Sequence, residues 1–517
     1  MNALLPLPIV LPLLGAGLSM IVGKSRAAQR TVSIAVLSAV MVCAFAILWE
    51  VDRNGAIAMQ ASGWDAPIGI TLVADRLAAI LLAVASVVLL TVLIYAIGQP
   101  GAERNHVGFQ SVYLIMSAGV AGSFLTGDLF NLFVSFEMML SASYVLITIG
   151  ARRGQVRSGM TYVVISLLAS TLFVVILALV YSATGTLNLA DLSDRMGQLS
   201  PGLRLGFSVL MLTVFGIKAG LFPLFFWLPD SYSNAPSAVT AVFAGLLTKV
   251  GVYAIIRTQT LLFDTSSRPD TLIIALAGAT MAIGVLGAIA QDDAKRILSF
   301  HIVSHVGFMV LGLGLFSVDG LAAAVFYITQ GIVVMTTLFL VGGLIEHVGG
   351  SSRLSRVGGL VKTAPGIAIL FLVPALSLAG VPPFSGFIAK VGLLGAAFSD
   401  DRYLSVAVAL VVSLMTIFSM MKIWSSVFWG TQPELCVEDL DATDYAEGFG
   451  IIPGGHDDRP PLMIVPTAIL AAVSVAMAVL GGPLYDLSER AARDALSPVT
   501  YQSTVLPSAL AASGEGK

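Results

Sequence analysis

Along the chain, apolar runs of membrane length alternate with short polar connectors. A run of about 20 mostly apolar residues spans a bilayer as an α-helix. By that rule about fourteen spans are expected, at 4–22, 31–50, 73–97, 110–126, 129–149, 159–183, 204–228, 237–258, 271–290, 297–316, 321–345, 366–398, 403–429 and 462–482. The seventh carries Pro223 and the twelfth carries Pro374, Pro382 and Pro383, so both are read as broken helices. Interrupted helices persist at membrane depth where they line a cavity or are buried in protein. Residues 51–72 depart from the pattern. Short alternating stretches there, with Gly55, Gly63, Trp64 and Pro67, predict a β-hairpin outside the membrane. Residues 483–497 predict a short interfacial amphipathic helix. The expected fold class is an all-α polytopic membrane protein.

Composition agrees. Of 517 residues, 57% are hydrophobic and 11% charged, against about 25% charged in soluble domains. A net charge of −3 offers nothing to nucleic acid. The cysteines, Cys43 and Cys436, lie far apart in different settings and predict no disulfide. No Cys/His cluster has metal-ligand spacing, and there is no redox motif or nucleotide loop, so neither metal nor cofactor is expected. The first apolar run lacks the basic start of a signal peptide. It is followed by Lys24, Arg26 and Arg30, which places the N-terminus outside. An even span count then puts both termini outside. Loops assigned inside hold thirteen Lys and Arg, against six in loops assigned outside. The tail, with Arg490, Arg493 and Lys517, narrows that margin. The longest loop, 431–461, is assigned to the cytoplasm and carries Glu434, Glu438, Asp439, Asp441, Asp444, Glu447, Asp457 and Asp458 against Arg459. It reads either as a solvated acidic loop or as a docking surface or cation-attracting mouth.

Most charges fall at span ends. Asp75, Arg76, Arg257, Lys295 and Arg296 are of that kind, and Lys422 has an interface within reach. Four do not fit. Glu137 lies inside the fifth span, Lys218 inside the seventh, Lys249 inside the eighth and Lys390 inside the twelfth. An ionisable residue at the centre of a bilayer costs about 2.5–3.5 kcal/mol even on insertion scales, and normally faces the bundle interior and pairs. One Glu–Lys pair can simply pin two helices together. One carboxylate cannot neutralise three lysines, however, so at least one lysine needs a wet surround or exchanges its proton. Between them, the tenth span supplies Ser299, His301, Ser304 and His305, and the eleventh Tyr327, Thr329 and Gln330. Histidine titrates near neutral pH and can shuttle protons, or either histidine merely bonds a neighbouring helix. His305 sits deeper than His301. Two broken helices far apart, each with one lysine, predict two inverted-topology five-helix repeats. The expected organisation is 1–97 (helices 1–3 and the hairpin), 98–262 (helices 4–8), 263–430 (helices 9–13), 431–461 and 462–517 (helix 14 and the amphipathic segment).

Four stretches together carry a resemblance: DLFNLFVSFEMMLSASYVL around Glu137, GIKAGLFPLFFWLPDSYSNAPSAVTAVFAGLLTKVGVYAIIR around Lys218 and Lys249, QDDAKRILSFHIVSHVGFM around the histidines, and GVPPFSGFIAK ending at Lys390. The chain resembles the antiporter-like subunits shared by Mrp-type multisubunit cation/proton antiporters and respiratory complex I, over roughly residues 70–430. Lysine at 390 and the length of the chain point to the Mrp branch, and within it to the D-type subunits. The resemblance implies a proton-translocating subunit of a sodium/proton antiporter, multi-pass in a bacterial plasma membrane, with other subunits as partners. It implies that Glu137 pairs with Lys218, Lys249 passes the proton inward, His305 bridges and Lys390 is the terminal exchange site. Tyr327, Ser304 and His301 are further candidate bridges. One departure stands out. Relatives often place histidine and lysine in the middle of the eleventh span, where this chain has Gln330 and Met335. The alternatives are a redox-driven complex, either respiratory complex I or a membrane-bound hydrogenase, and a non-transporting scaffold.

Overall fold

The computed structural model describes residues 2–99, 108–149, 153–431 and 461–506. Most of the acidic loop therefore lies outside the described residues, as do Arg104, Arg152, Cys436 and Lys517. Twelve helices among the described residues are long and apolar enough to cross a membrane. Phe109–Leu125 adds a shorter crossing, and Pro365–Ala379 with Ser385–Ser399 adds a broken one. The result is the expected all-α bundle.

In chain order the helices are α1 (Leu7–Ile21), α2 (Arg26–Asn54), α3 (Arg76–Gly98), α4 (Phe109–Leu125), α5 (Leu129–Thr148), α6 (Arg153–Thr184), α7 (Leu189–Gly197) and α8 (Pro201–Ala219). They continue as α9 (Trp227–Ser233), α10 (Ser237–Val242), α11 (Thr248–Leu261), α12 (Asp270–Ile289), α13 (Ala294–Gly314) and α14 (Val318–Gly349). The rest are α15 (Leu360–Thr363), α16 (Pro365–Ala379), α17 (Ser385–Ser399), α18 (Tyr403–Ile423), α19 (Pro461–Val479), α20 (Gly481–Leu496) and α21 (Pro498–Val505). A π turn, Phe243–Leu247, joins α10 to α11 in one crossing. Starts are capped as the sequence allows. Asp75, Asp128 and Asp293 accept from the backbone N–H of Ala78, Asn131 and Arg296, which satisfies orphan donors and places negative charge at the positive helix end.

The hairpin forms, but over 57–74 rather than 51–72: α2 runs on to Asn54, and the second strand extends past 72 to Ala74. Strand β1 (Ile57–Gln60) pairs antiparallel with β2 (Thr71–Ala74), Ile57 opposite Ala74. Strand β2 is buried and ties the neighbouring loops together: Gly127 N donates to Thr71 O at 2.8 Å, and Asn188 Nδ2 to Thr71 Oγ1 at 2.9 Å.

Helix α14 is the central strut. Every residue from Gly320 to Ile345 is buried, with α3, α10, α13, α16, α17, α19 and α20 packed round it. Helix α20 forms over the amphipathic segment. Its small face, Ser488, Ala491, Ala492 and Ala495, is buried, and the helix packs on α14, α3 and α11.

Two pairs of features recur. Asp128 bridges Asn188, and Asp293 bridges Arg353, sixty residues along the chain in both cases. The backbone bonds match too: Leu129 N to Leu187 O and Leu189 N to Gly127 O, against Ala294 N to Ser352 O and Leu354 N to Asp292 O. The two helix breaks also match. Gly220 and Gly380 end α8 and α16 at φ 79° and 82°, left-handed conformations that favour glycine. Each is followed by a cis prolyl bond, at Phe222-Pro223 and Pro382-Pro383.

Candidate functional site

Lys218 is the penultimate residue of α8, just before the break, and is buried. Its Nζ lies 3.9 Å from Glu137 Oε1 on α5. Ser170 on α6 stands between them: its hydroxyl bonds Glu137 Oε1 and accepts from Lys218 Nζ at 3.2 Å. The ammonium also sits 5.0 Å from the centre of the Phe136 ring, a cation–π contact. Of the Glu137 side chain, 27% remains exposed on the flank of the bundle. Beside Lys218 is a cavity of about 10 Å³ bordered by Tyr162, Ser166 and Leu247, room for about one water molecule.

Lys249 is fully buried, two residues beyond the π turn. Its Nζ donates to Ala244 O, a carbonyl inside that wider turn. π turns often mark functional sites. The two lysine helices approach closely: a Cβ on Gly251 would lie 2.8 Å from Ala219 N, so only glycine lets α11 come this near the Lys218 end of α8.

Lys390 is buried in the second half of the twelfth span. Its Nζ donates to Ala379 O, the last residue of the first half, at 2.9 Å. It also lies 5.1 Å from the centre of the Phe308 ring on α13. The break thus supplies the carbonyl that holds the lysine. A Cβ on Gly380 would lie 2.6 Å from Lys390 Cδ.

His305 lies between the second and third lysines, within electrostatic range of both Lys249 and Lys390. It faces Tyr327 of α14, ring centres 5.0 Å apart. Tyr327 in turn stacks on Phe308 at 5.3 Å. Both ring nitrogens of His305, the Tyr327 hydroxyl, Gln330 Oε1 and Thr248 Oγ1 are buried with no hydrogen-bonding partner among the described residues. An unsatisfied buried polar atom costs about 1–3 kcal/mol. The other candidate bridges are engaged elsewhere. His301 Nε2 contacts Ser419 Oγ of α18 at 2.6 Å, with Lys390 within electrostatic range. Ser304 donates to Met281 O of α12 at 3.1 Å.

Sequence reasoning missed three groups. Ser170 carries no signal, because a lone serine in a span is ordinary. Asp75 and Arg257, read as span ends, form a buried ion pair at 2.7 Å, with Arg257 flanked by the rings of Tyr253 and Tyr501. Lys295 pairs with Glu346 at 2.5 Å, and that carboxylate also accepts from Ser237 Oγ at 3.0 Å. Lys422, by contrast, reaches the bundle edge, where Asp292 and the carbonyls of Ile289 and Gln291 hold it.

Residues 126–416 match the family described as NADH:quinone oxidoreductase/Mrp antiporter, TM. The D subunit of the Na(+)/H(+) antiporter of Alkalihalophilus pseudofirmus is 42% identical over 508 residues, 98% of this chain and 100% of that protein. A chain in the Mrp complex from Dietzia sp. DQ12-45-1b superposes with a TM-score of 0.87 at 34% identity, covering 98% of this chain and 100% of that one. A chain of the membrane-bound sulfane sulfur reductase, an archaeal respiratory membrane complex, has the same TM-score and coverage at 25% identity. The chain belongs to the NADH:quinone oxidoreductase/Mrp antiporter transmembrane family.

Proposed function

We propose that this chain is the proton-translocating subunit of a multisubunit Na+(cation)/H+ antiporter, in a bacterial plasma membrane with both termini outside. The antiporter names of its relatives and the Mrp complex neighbour support the antiporter assignment. The observation that carries the proton route is the Glu137–Ser170–Lys218 contact at the head of a line of buried bases. A nearby carboxylate favours the charged ammonium, and withdrawing it frees the proton. Lys218 then passes its proton by way of the adjacent cavity to Lys249, His305 and water carry it past α14, and Lys390 exchanges it. Water replaces the base that the eleventh span lacks. The partly exposed carboxylate at Glu137 supports a neighbouring subunit on that flank, since a charge facing lipid is costly.

The organisation into repeats 98–262 and 263–430, preceded by 1–97 and followed by 431–461 and 462–517, is part of this reading. The matched bridges and the matched helix breaks at Gly220 and Gly380 support it. An odd number of spans per repeat turns the second repeat over, in keeping with one bridge on the hairpin face and the other opposite.

The test is Glu137→Ala and Lys218→Ala in the whole complex, assayed for sodium-driven proton movement in everted vesicles. Both are expected to abolish antiport while partner subunits still co-purify. Wild-type antiport in both overturns the proposal. The sulfane sulfur reductase chain, with the same TM-score at the lower identity of 25%, supports a second reading, a redox-driven pump. Co-purification with flavin or iron–sulfur proteins would establish that instead.

A further inference from the structure

We propose that Lys295 and Glu346 form the proton-loading pair for Lys249, at the face that carries the Lys24–Arg30 cluster. The inference rests on the relay reading above. Lys295 begins α13 and is buried, while Glu346 near the end of α14 keeps 20% of its side chain exposed. One end of the pair therefore meets water and the other faces the bundle. Glu346 also meets Ser237, the first residue of α10, so the carboxylate sits at the start of the crossing that carries Lys249. From there the α10–α14 seam is built of small residues and a few polar atoms. Thr336 Oγ1 lies 3.4 Å from Ala241 O, and three residues on, Ala244 O already accepts from Lys249 Nζ. Among the described residues, Tyr95 of α3 is a further titratable side chain facing Glu346, and its hydroxyl is committed to Leu340 O at 2.9 Å.

The opposite end of the same crossing makes the contrast. There the ion pair is Asp75 with Arg257, and a guanidinium does not release its proton. Lysine and glutamate both exchange. In the proposed step an N–H bond of the Lys295 ammonium breaks. The proton moves along the seam, through water, to the neutral Lys249 amine. The Glu346 carboxylate then takes a proton from the aqueous face and returns it to the Lys295 amine.

Lys295→Arg tests this in the assembled complex, because arginine keeps the ion pair and the helix contact but holds its proton. Expected is wild-type co-purification of partner subunits with at least a fivefold fall in antiport. Antiport within twofold of wild type, per assembled complex, overturns the loading role and leaves a pair that only pins helices. If Lys295→Arg does not assemble, Glu346→Gln, which keeps the shape but cannot take up a proton, is judged by the same thresholds. Lys249→Ala runs alongside. Wild-type antiport in that variant sinks the relay reading itself. Loss of antiport in Lys249→Ala with intact Lys295→Arg and Glu346→Gln sinks only the loading pair.

Discussion

At the residue scale, chemistry is concentrated in a few side chains that violate the apolar pattern around them. Glu137, Lys218, Lys249 and Lys390 were legible in the sequence for that reason: a charge in mid-span needs an explanation. Their partners were not. Ser170 looks like any small polar residue in a helix, and Glu346 sits where span ends normally carry charge. Ser170→Ala should lower antiport by about tenfold without affecting assembly, since a hydrogen bond to a charged group is worth about 1.5–3 kcal/mol. A rate equal to wild type would mean that Glu137 and Lys218 communicate directly across their 3.9 Å. Tyr327→Phe removes a buried hydroxyl with no protein partner among the described residues. It should leave the melting temperature unchanged and slow antiport severalfold. A large loss of stability with normal turnover would instead make the hydroxyl structural.

At the element scale, the informative features are interruptions. Pro223, Pro382 and Pro383 announced the broken helices, and Gly, Trp and Pro announced the hairpin. The π turn at Phe243–Leu247 was invisible, because FAGLL reads as ordinary helix. The paired bridges were equally hidden, for Asp128/Asn188 and Asp293/Arg353 share only the aspartate. Gly380 shows what an interruption demands. Its φ of 82° costs a non-glycine residue about 1–2 kcal/mol, and an added methyl would press on the Lys390 stem. Gly380→Ala should therefore lower both thermal stability and antiport. Gly366→Ala, where nothing lies within 4 Å of the new methyl, is the matched control and should be silent. Equal behaviour of the two variants would remove the break from the mechanism.

For the whole molecule, the span count and the polytopic class were written in the apolar runs, but the centre was not. Hydropathy does not mark α14 as the helix that so many others surround, since its mean value of 2.0 falls in the middle of the 1.5–3.0 range of the spans. Nor does it show that α20 and α21 fasten the hairpin face. Arg76 joins Asp494 at 2.6 Å and Asp52 at 3.2 Å, Arg490 joins Asp52, and Tyr501 covers Arg257. Ending the chain after Leu480 should lower the melting temperature of the complex and the yield of assembled protein. An unchanged melting curve would show these fastenings to be dispensable. The Asp75–Arg257 pair has a wider consequence. It closes one end of the Lys249 crossing with a group that never surrenders its proton at physiological pH. On the proposed relay, that crossing is a cul-de-sac, and a proton delivered to Lys249 has to turn sideways, across α13 and α14, to find an exit. Conduction on that proposed route becomes a detour in the plane of the membrane, governed by the width of the protein rather than by the thickness of the bilayer.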